Sequence, residues 1–173
     1  MDKESEREFL EFVAARTHAL FRMAYALTGN QQAAEDLLQS ALATCAIRWR
    51  QINDRPEPYV RKVMYHEQVS WWRRRRRYTE LSMAVVPDRA VEPDPSHDTV
   101  LKLTLHRALA RLGVRQRAVL VLRYLEDLSE SEVARIMGCS QSTVGSQASR
   151  ALARLRQLAP ELRELLSAEE VSG

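Results

Sequence analysis

The chain has 173 residues, of which 45% are hydrophobic and 28% charged, so it is long enough for one ordinary domain or two small ones and too apolar to be globally disordered. No apolar run is long enough for a membrane-spanning helix. Two isolated cysteines, Cys45 and Cys139, and four scattered histidines argue against a disulfide scaffold and a metal site, so we expect no metal and no cofactor.

The net charge of +3 hides a pattern of alternating blocks along the chain. Residues 1–45 carry a net charge of −3, residues 46–77 of +7, residues 78–100 of −4 and residues 101–173 of +3. Two basic blocks separated by an acidic one are typical of a protein that binds nucleic acid.

The N-terminal part predicts two amphipathic helices. Apolar residues recur at three- and four-residue spacing over residues 9–27, which is the period of one helix face. Gly29 is predicted to end the first helix and Asn30 to cap the second, because these residue types suit those positions. On the second helix Asp36 and Gln39 face outward, which is consistent with either a protein partner or a solvated acidic face.

A short loop, residues 50–58, leads into a third helix predicted from about Tyr59 to Arg77. At 100° per residue, Val60, Val63, Met64 and Trp71 share one side of this helix. The other side combines cations with aromatic rings, and its members are Arg61, Lys62, Tyr65, His66, Val69 and Arg73, with Trp72 at the edge. Such a surface suits phosphates and unpaired bases. The arginine run 73–77 equally suits an anionic membrane surface or compensation of the helix dipole.

Residues 79–97 are acidic, contain three prolines and lack a helical period, which predicts a linker. We therefore expect an all-α fold, with two small helical domains at residues 1–78 and 98–168 and a tail at residues 169–173. The linker is either a plain solvated connector or an acidic segment that rests on a basic groove of a protein.

The segment LSESEVARIMGCSQSTVGSQASRALARL, residues 128–155, predicts a helix-turn-helix. Ser129 and Glu132 have the spacing of a capping box, Gly138 is predicted to end the first helix, and Ser140 to cap the second. The second helix has an apolar inner side and a polar outer side suited to a DNA major groove. An ordinary helical hairpin is the alternative for this segment taken alone.

Taken in order, these motifs resemble a known family. The order is AAEDLLQ, a loop, YVRKVMYHEQVSWWRRRRR, an acidic linker, and RQRAVLVLRYLEDLSESEVARIMGCSQSTVGSQASRALARLR. The chain is similar over almost its whole length to bacterial group 4 (extracytoplasmic-function) sigma factors, and most to their short actinobacterial, sigma-E-like branch.

The resemblance implies a factor that binds core RNA polymerase, at its large clamp subunit and flap, and directs it to promoters without performing chemistry. The first domain would bind the clamp through Asp36, Leu38 and Gln39 and would melt the −10 element. The residues implied to hold that element and its non-template strand are Arg50, Gln51, Asn53, Arg61, Lys62, Tyr65, His66, Trp71, Trp72, Arg73 and Arg74. The residues implied to read the −35 element as duplex DNA are Ser142, Thr143, Ser146, Gln147, Arg150 and Arg154.

Three positions depart from the pattern common among these sigma factors. His66 replaces a frequent asparagine, Ser40 a frequent acidic residue, and Gly145 a frequent lysine or arginine. The resemblance also implies that an anti-sigma factor, where one exists, clamps both domains and covers these surfaces. The acidic, polar N-terminus does not suit a signal peptide, so we expect a cytoplasmic protein.

Two other functions fit parts of the sequence. A conventional repressor or activator would use the same helix-turn-helix, usually as a dimer on half-sites, but would leave the first domain unexplained. A membrane-surface or scaffold protein would use the Trp-Arg run and leave the second domain unexplained. The sequence contains no paired catalytic carboxylates, nucleophile elbow or phosphate loop, so we do not expect an enzyme.

Overall fold

The computed structural model describes residues 2–52, 55–81 and 97–163, and within those ranges the chain forms helices and turns without a β-strand. The helices are α1 (Lys3–Thr28), α2 (Gln31–Ile47), α3 (Pro56–Leu81), α4 (His97–Ala110), α5 (Val114–Leu120), α6 (Glu130–Met137) and α7 (Gln141–Leu158). A 3₁₀ turn, Trp49–Gln51, follows α2, and a π-helical segment, Val121–Leu125, continues α5. The all-α prediction is confirmed.

The turn between α1 and α2 forms as the sequence predicts. Gly29 ends α1 with φ +72°, in the left-handed region that a residue without Cβ adopts cheaply. Asn30 caps α2 by accepting a hydrogen bond of 3.0 Å from the backbone N–H of Ala33. A Cβ on Gly29 would come within 3.3 Å of the Cβ of Ala110, so this turn packs directly on the end of α4.

The helix-turn-helix also forms as predicted, from α6 and α7. Ser129 and Glu132 complete a capping box, with Glu132 N–H donating to the Ser129 hydroxyl and Ser129 N–H donating to the Glu132 carboxylate. Gly138 ends α6 with φ +69°, and the Ser140 hydroxyl caps α7 by accepting from the N–H of Thr143 at 3.1 Å. These local contacts set where α6 ends and α7 begins, and the two helices pack on each other.

Helix α3 is longer than the sequence predicts, at both ends. It begins at Pro56, whose fixed φ suits a first turn, and it continues through residues 79–81, which the sequence assigned to the linker. Most of the predicted linker and the whole predicted tail lie outside the described residues.

The buried apolar side chains form one continuous cluster that joins α1–α3 to α5–α7. Helices α1 and α2 pack on each other and on α3, and α5 packs on α7. In addition, α1 contacts α4 and α5, and α3 contacts α5 and α6. The helix-turn-helix therefore lies against the side of α3 on which the sequence placed Arg61 and Tyr65, which we call the outer side of α3.

Candidate nucleic-acid interface

Helix α7 presents the outer face predicted for DNA reading. Val144, Ala148 and Ala151 are buried on its inner side and anchor it. The remaining face is polar and open: the predicted −35 residues Ser142, Thr143, Ser146, Arg150 and Arg154 are exposed, and Gln147 is half-buried. The buried side fixes the rotation of the helix about its axis. The polar face therefore points outward in one defined direction, where it can enter a DNA major groove.

Gly145 leaves space at one edge of that face. The atoms nearest to an added Cβ belong to the carboxylate of Glu130 at the start of α6, the nearest of them at 3.6 Å. A lysine or arginine at this position would therefore have an acidic neighbour on the protein itself. The absence of a cation at position 145 leaves Arg150 and Arg154 as the cations among the predicted reading residues of α7.

The second half of α3 carries an exposed array of rings and guanidinium groups. The Arg75 guanidinium lies 5.1 Å from the centre of the Trp71 ring, and the Arg76 guanidinium lies 5.3 Å from that of Trp72. These are i, i+4 pairs, so the helix itself places each cation over its ring. The sequence placed Trp71 on the apolar side of α3, but the structure leaves 42% of its surface exposed.

A groove of about 580 Å³ runs beside this array, between α2 and α3. Asp36 lines it on the α2 side, and Glu67, Trp71 and Arg74 line it on the α3 side. The acidic face of α2 and the Trp-Arg array of α3 thus border one concave surface.

The predicted polymerase contacts on α2 divide into exposed and buried residues. Asp36 and Gln39 are exposed, and the Asp36 carboxylate accepts a hydrogen bond of 3.0 Å from the Gln32 amide. Leu38 is only 6% exposed and packs in the core, so the prediction of a direct contact by this side chain does not fit the structure. Leu38 and its neighbour Leu37 both lie on the inner side of α2, within the core.

The predicted −10 residues also fall into an exposed group and a covered group. Lys62, His66, Trp72, Arg73 and Arg74 are exposed on α3, and Arg50 and Gln51 are exposed in the 3₁₀ turn. Arg50 forms an ion pair with the carboxylate of Asp2, which caps α1. His66 is exposed at the surface, but partial desolvation of its ring, together with the nearby Lys62 charge, lowers its pKa and favours a neutral imidazole. Asn53 lies outside the described residues.

Two of the predicted −10 residues are covered rather than exposed. Tyr65 is 4% exposed, and burial raises the pKa of its phenol. The charge of Arg115 on α5 opposes that rise, and the ring belongs to the buried cluster that joins α3 to α5 and α6. Arg61 is 15% exposed and forms ion pairs with Glu57 and Glu126.

The outer side of α3, on which the sequence placed Arg61, Lys62, Tyr65, His66, Val69 and Arg73, is therefore only partly open to nucleic acid. Tyr65 and Val69, which the sequence placed with the exposed cations, are buried. The physical reason is that α5 and α6 pack on this side, while α2 packs on the other. The helical period gives the angle of each residue around the axis, but it does not tell how many sides a neighbour covers.

Two further residues connect the halves of the chain, and reasoning from the sequence missed both. Glu126 follows the π-helical segment and pairs with Arg61 across the interface. Arg117 is buried, and its guanidinium donates to backbone oxygens of Leu27 at 2.7 Å and of Leu109 at 2.8 Å. In the sequence Arg117 directly precedes the apolar run AVLVL, residues 118–122, and no local spacing marks it as buried.

The described residues were compared with the requirements of a metal centre and of a membrane-spanning helix. No three of their His, Cys, Asp and Glu side chains are grouped to hold a metal ion, and none of their helices is long and apolar enough to span a bilayer. Cys45 and Cys139 are free thiols, and burial raises the pKa of Cys45 to about 11.

Comparison with known proteins gives matches over both halves of the chain. Residues 12–78 match Sigma-70 region 2, and residues 102–155 match Sigma-70, region 4. The chain is 40% identical to an RNA polymerase sigma-E factor of Streptomyces antibioticus over 152 residues, which cover 87% of this chain and 83% of that protein. It is 38% identical to the sigma-E factor of Streptomyces coelicolor over 152 residues, covering 87% and 85%.

A solved structure shows the same fold. The sigma factor RpoE of Bartonella quintana, crystallised with the anti-sigma factor NepR, aligns with a TM-score of 0.77 over 88% of this chain and 96% of that one, at 24% sequence identity.

Proposed function

The chain belongs to the sigma-70 family, as an extracytoplasmic-function sigma factor of the actinobacterial sigma-E branch, and from this we propose how its surfaces share the work of promoter recognition. As a sigma factor it directs promoter-specific initiation of transcription with core RNA polymerase. We assign polymerase binding to α2, the −10 element to α3 and the preceding turn, and the −35 element to α7. The polymerase supplies the chemistry.

One observation carries this assignment. A single chain combines an anchored helix with an open polar face, α7, and a helix with exposed tryptophan rings under arginine cations, α3. The first suits the edges of paired bases in a major groove, and the second suits phosphates and unpaired bases. A repressor needs only the first of these surfaces, whereas a factor that binds a promoter and then melts it needs both.

The exposed face of α2 supports the assignment of polymerase binding. Asp36 and Gln39 are available to a partner, while Leu37 and Leu38 hold the helix in the core beneath them. We assign residues 1–78 to region 2 function and residues 98–168 to region 4 function, since the family matches fall within these ranges. Because it acts together with RNA polymerase, we assign the protein to the cytoplasm.

We further assign an anti-sigma factor as a regulatory partner. The similar RpoE structure contains a bound anti-sigma factor, and this chain offers a groove of about 580 Å³ beside its proposed polymerase face. A partner seated in that groove would cover Asp36 and Trp71 together and so block access of the polymerase.

The test is transcription in a purified system. The full chain is mixed with core RNA polymerase and run-off templates from its own genome, with a reaction lacking the chain as the control. We expect discrete transcripts that depend on the chain, and their start sites define the −10 and −35 sequences. A chain that shifts duplex DNA but does not associate with polymerase would contradict the sigma assignment in favour of a repressor.

A further inference from the structure

A cavity of about 370 Å³ lies between the start of α3 and helix α6. Arg55, Tyr59 and Lys62 line it on the α3 side, and Arg135 and Ile136 line it on the α6 side. This volume falls within the range of small-molecule sites, which is about 300–1,000 Å³. The functions assigned above use Lys62 but give the cavity itself no occupant.

Apolar side chains form one part of the lining. Ile136 is 5% exposed, and Tyr59 and Leu128 are half-buried and pack against the core. Of these three side chains, only that of Tyr59 has a hydrogen-bonding group, its hydroxyl. An apolar or aromatic body in the cavity is therefore favoured, because contact with these side chains removes apolar surface from solvent.

One cation of the lining is already neutralised by the protein. Arg61 donates to the carboxylate of Glu57 at 2.8 Å and to that of Glu126 at 2.9 Å. All three side chains are less than one-fifth exposed, so water screens these pairs only weakly. Arg61 is thus a structural part of the wall, and its charge is not available to a ligand.

The other charged groups leave an excess of positive charge. Arg55, Lys62 and Arg135 are exposed, and no salt bridge among the described residues includes them. Glu132 is the acidic member of the lining, and its carboxylate accepts from the Ser129 N–H at 2.8 Å. Three cations against one carboxylate give the cavity a net charge of about +2. A phosphomonoester carries about −1.5 to −2 at neutral pH and so matches this charge.

The position of the cations favours a ligand inside the cavity over one on a single wall. Arg55 comes from the segment before α3, whereas Arg135 comes from α6. A guanidinium group offers paired N–H donors that fit the oxygens of a phosphate. Because donors face the cavity from both sides, the field draws an anion between the walls.

We propose that this cavity is a binding site for a small organic phosphomonoester with an apolar or aromatic body. The phosphate binds Arg55, Lys62 and Arg135, and the body contacts Tyr59 and Ile136. A phosphodiester of nucleic acid carries a single negative charge and continues on both sides of the phosphorus, so it suits the cavity less well. Because Lys62 is also assigned to the −10 element, the ligand and DNA would share one cation.

The first test is isothermal titration calorimetry of the full chain with 1-naphthyl phosphate, at neutral pH and 0.1 M salt. Three matched probes divide this compound into its parts. Inorganic phosphate has the charge without the ring, 1-naphthol has the ring without the charge, and methyl 1-naphthyl phosphate has both but is a monoanionic diester. We expect 1-naphthyl phosphate to bind about tenfold more tightly than each of the three, because only this probe supplies both the ring and the second charge.

The probes also distinguish the proposed ligand from its alternatives. Equal binding of the diester would make the cavity a place for a nucleic-acid phosphate, and equal binding of inorganic phosphate would make it an unspecific anion site. Either result would overturn the proposal, and so would the absence of measurable binding by 1-naphthyl phosphate.

The second test uses variants to locate the bound probe. Arg55→Gln and Arg135→Gln each remove one charge from one wall, and neither residue is assigned to a promoter element or to the polymerase. Arg156→Gln removes an exposed cation of α7 that does not line the cavity and serves as the control. We expect each cavity variant to bind 1-naphthyl phosphate about tenfold more weakly than the wild type, and the control to stay within about twofold.

The pattern of losses decides the outcome. Affinity that falls in only one cavity variant, or equally in all three variants, would place the probe elsewhere and contradict the site. Circular dichroism verifies that each variant is folded. Run-off transcription tests the sigma function separately: transcripts without probe binding would remove this proposal alone, whereas probe binding without transcripts would remove the sigma assignment alone.

Discussion

At the residue scale, recognition depends on side chains that the core does not use. Arg150 and Ser146 extend from α7 because Val144, Ala148 and Ala151 take the inner side of the helix. The Ser146 hydroxyl is already bonded to the backbone oxygen of Ser142 at 3.1 Å, whereas the guanidinium of Arg150 is exposed. Arg150 is therefore the residue of this face with the most to contribute to base reading.

Replacing Arg150 by alanine should weaken binding of a −35 duplex by about 1–3 kcal/mol if the side chain contacts a base. Fluorescence anisotropy with the duplex defined by run-off transcription measures the loss. Arg156→Ala removes an exposed cation from another side of the same helix and should cost less. Equal losses for the two variants, on the promoter duplex and on a scrambled one, would show that Arg150 contributes only charge.

The capping box of α6 makes the stability of the fold depend on pH through one residue, Glu132. The hydrogen bond from the Ser129 N–H lowers the pKa of the Glu132 carboxyl below its usual value. A group with a lowered folded-state pKa stabilises the fold above its unfolded pKa, and this contribution is lost as the pH falls through the folded pKa. Glutamine can keep the bond but carries no charge.

We therefore expect Glu132→Gln to be less stable than the wild type at pH 7 and to approach it in strongly acidic buffer. Urea denaturation at a series of pH values, followed by circular dichroism, measures the difference. A gap between wild type and variant that stays constant from pH 7 to pH 2 would contradict the assigned cause.

At the scale of the element, α3 shows how one helix serves two purposes. Its first half has Val60 and Met64 buried on one side and Tyr65 and Val69 buried on another, so it is a core helix. Its second half leaves Trp71 and Trp72 exposed beneath arginines. The change from a buried to an exposed helix along one element allows α3 to hold the fold together and to offer a stacking surface.

Helix α2 carries the matching prediction for polymerase binding. Reversing the charge in Asp36→Arg should lower the affinity for core polymerase by about tenfold, or about 1.4 kcal/mol, since an exposed carboxylate becomes a cation within the proposed contact. Glu11→Arg makes the same charge change on the exposed side of α1 and serves as the control. Co-purification with tagged polymerase provides the measurement, and normal recovery of Asp36→Arg would remove α2 from the interface.

At the scale of the whole molecule, the two halves share one core. Leu27 of α1 illustrates the connection, because its backbone oxygen accepts from Gln68 of α3 at 3.1 Å and from Arg117 of α5 at 2.7 Å. Arg117 also donates to Leu109, Ala110 and Leu112 at the end of α4. Its positive charge lies where the carbonyl ends of α1 and α4 converge, which is the favourable position for a cation.

Arg117→Ala should lower the free energy of unfolding by roughly 3 kcal/mol, because several buried carbonyl oxygens lose their donor at once. Chemical denaturation gives the value, and Arg111→Ala, which removes an exposed arginine nearby, should change stability by about 0.5 kcal/mol or less. If the two variants denature at the same midpoint, the Arg117 bonds do not hold the halves together.

The sequence alone determined the features that depend on near neighbours along the chain. Gly29, Asn30, Ser129, Gly138 and Ser140 each act on N–H or C=O groups within a few residues, so their caps could be predicted without a fold. The periodicity of α7 depends on its own inner residues, and for that reason its reading face was predictable as well. The resemblance carried by the ordered motifs then gave the family.

The tertiary structure decided which predicted surfaces are accessible. Tyr65 and Arg61 have the spacing of exposed residues, and only the packing of α5, α6 and Glu126 against α3 covers them. Glu126 lies 65 positions from Arg61, and Arg117 lies 90 positions from Leu27. A periodic pattern describes one helix about its own axis, whereas contacts at such separations depend on how the chain folds back on itself, which no local spacing records.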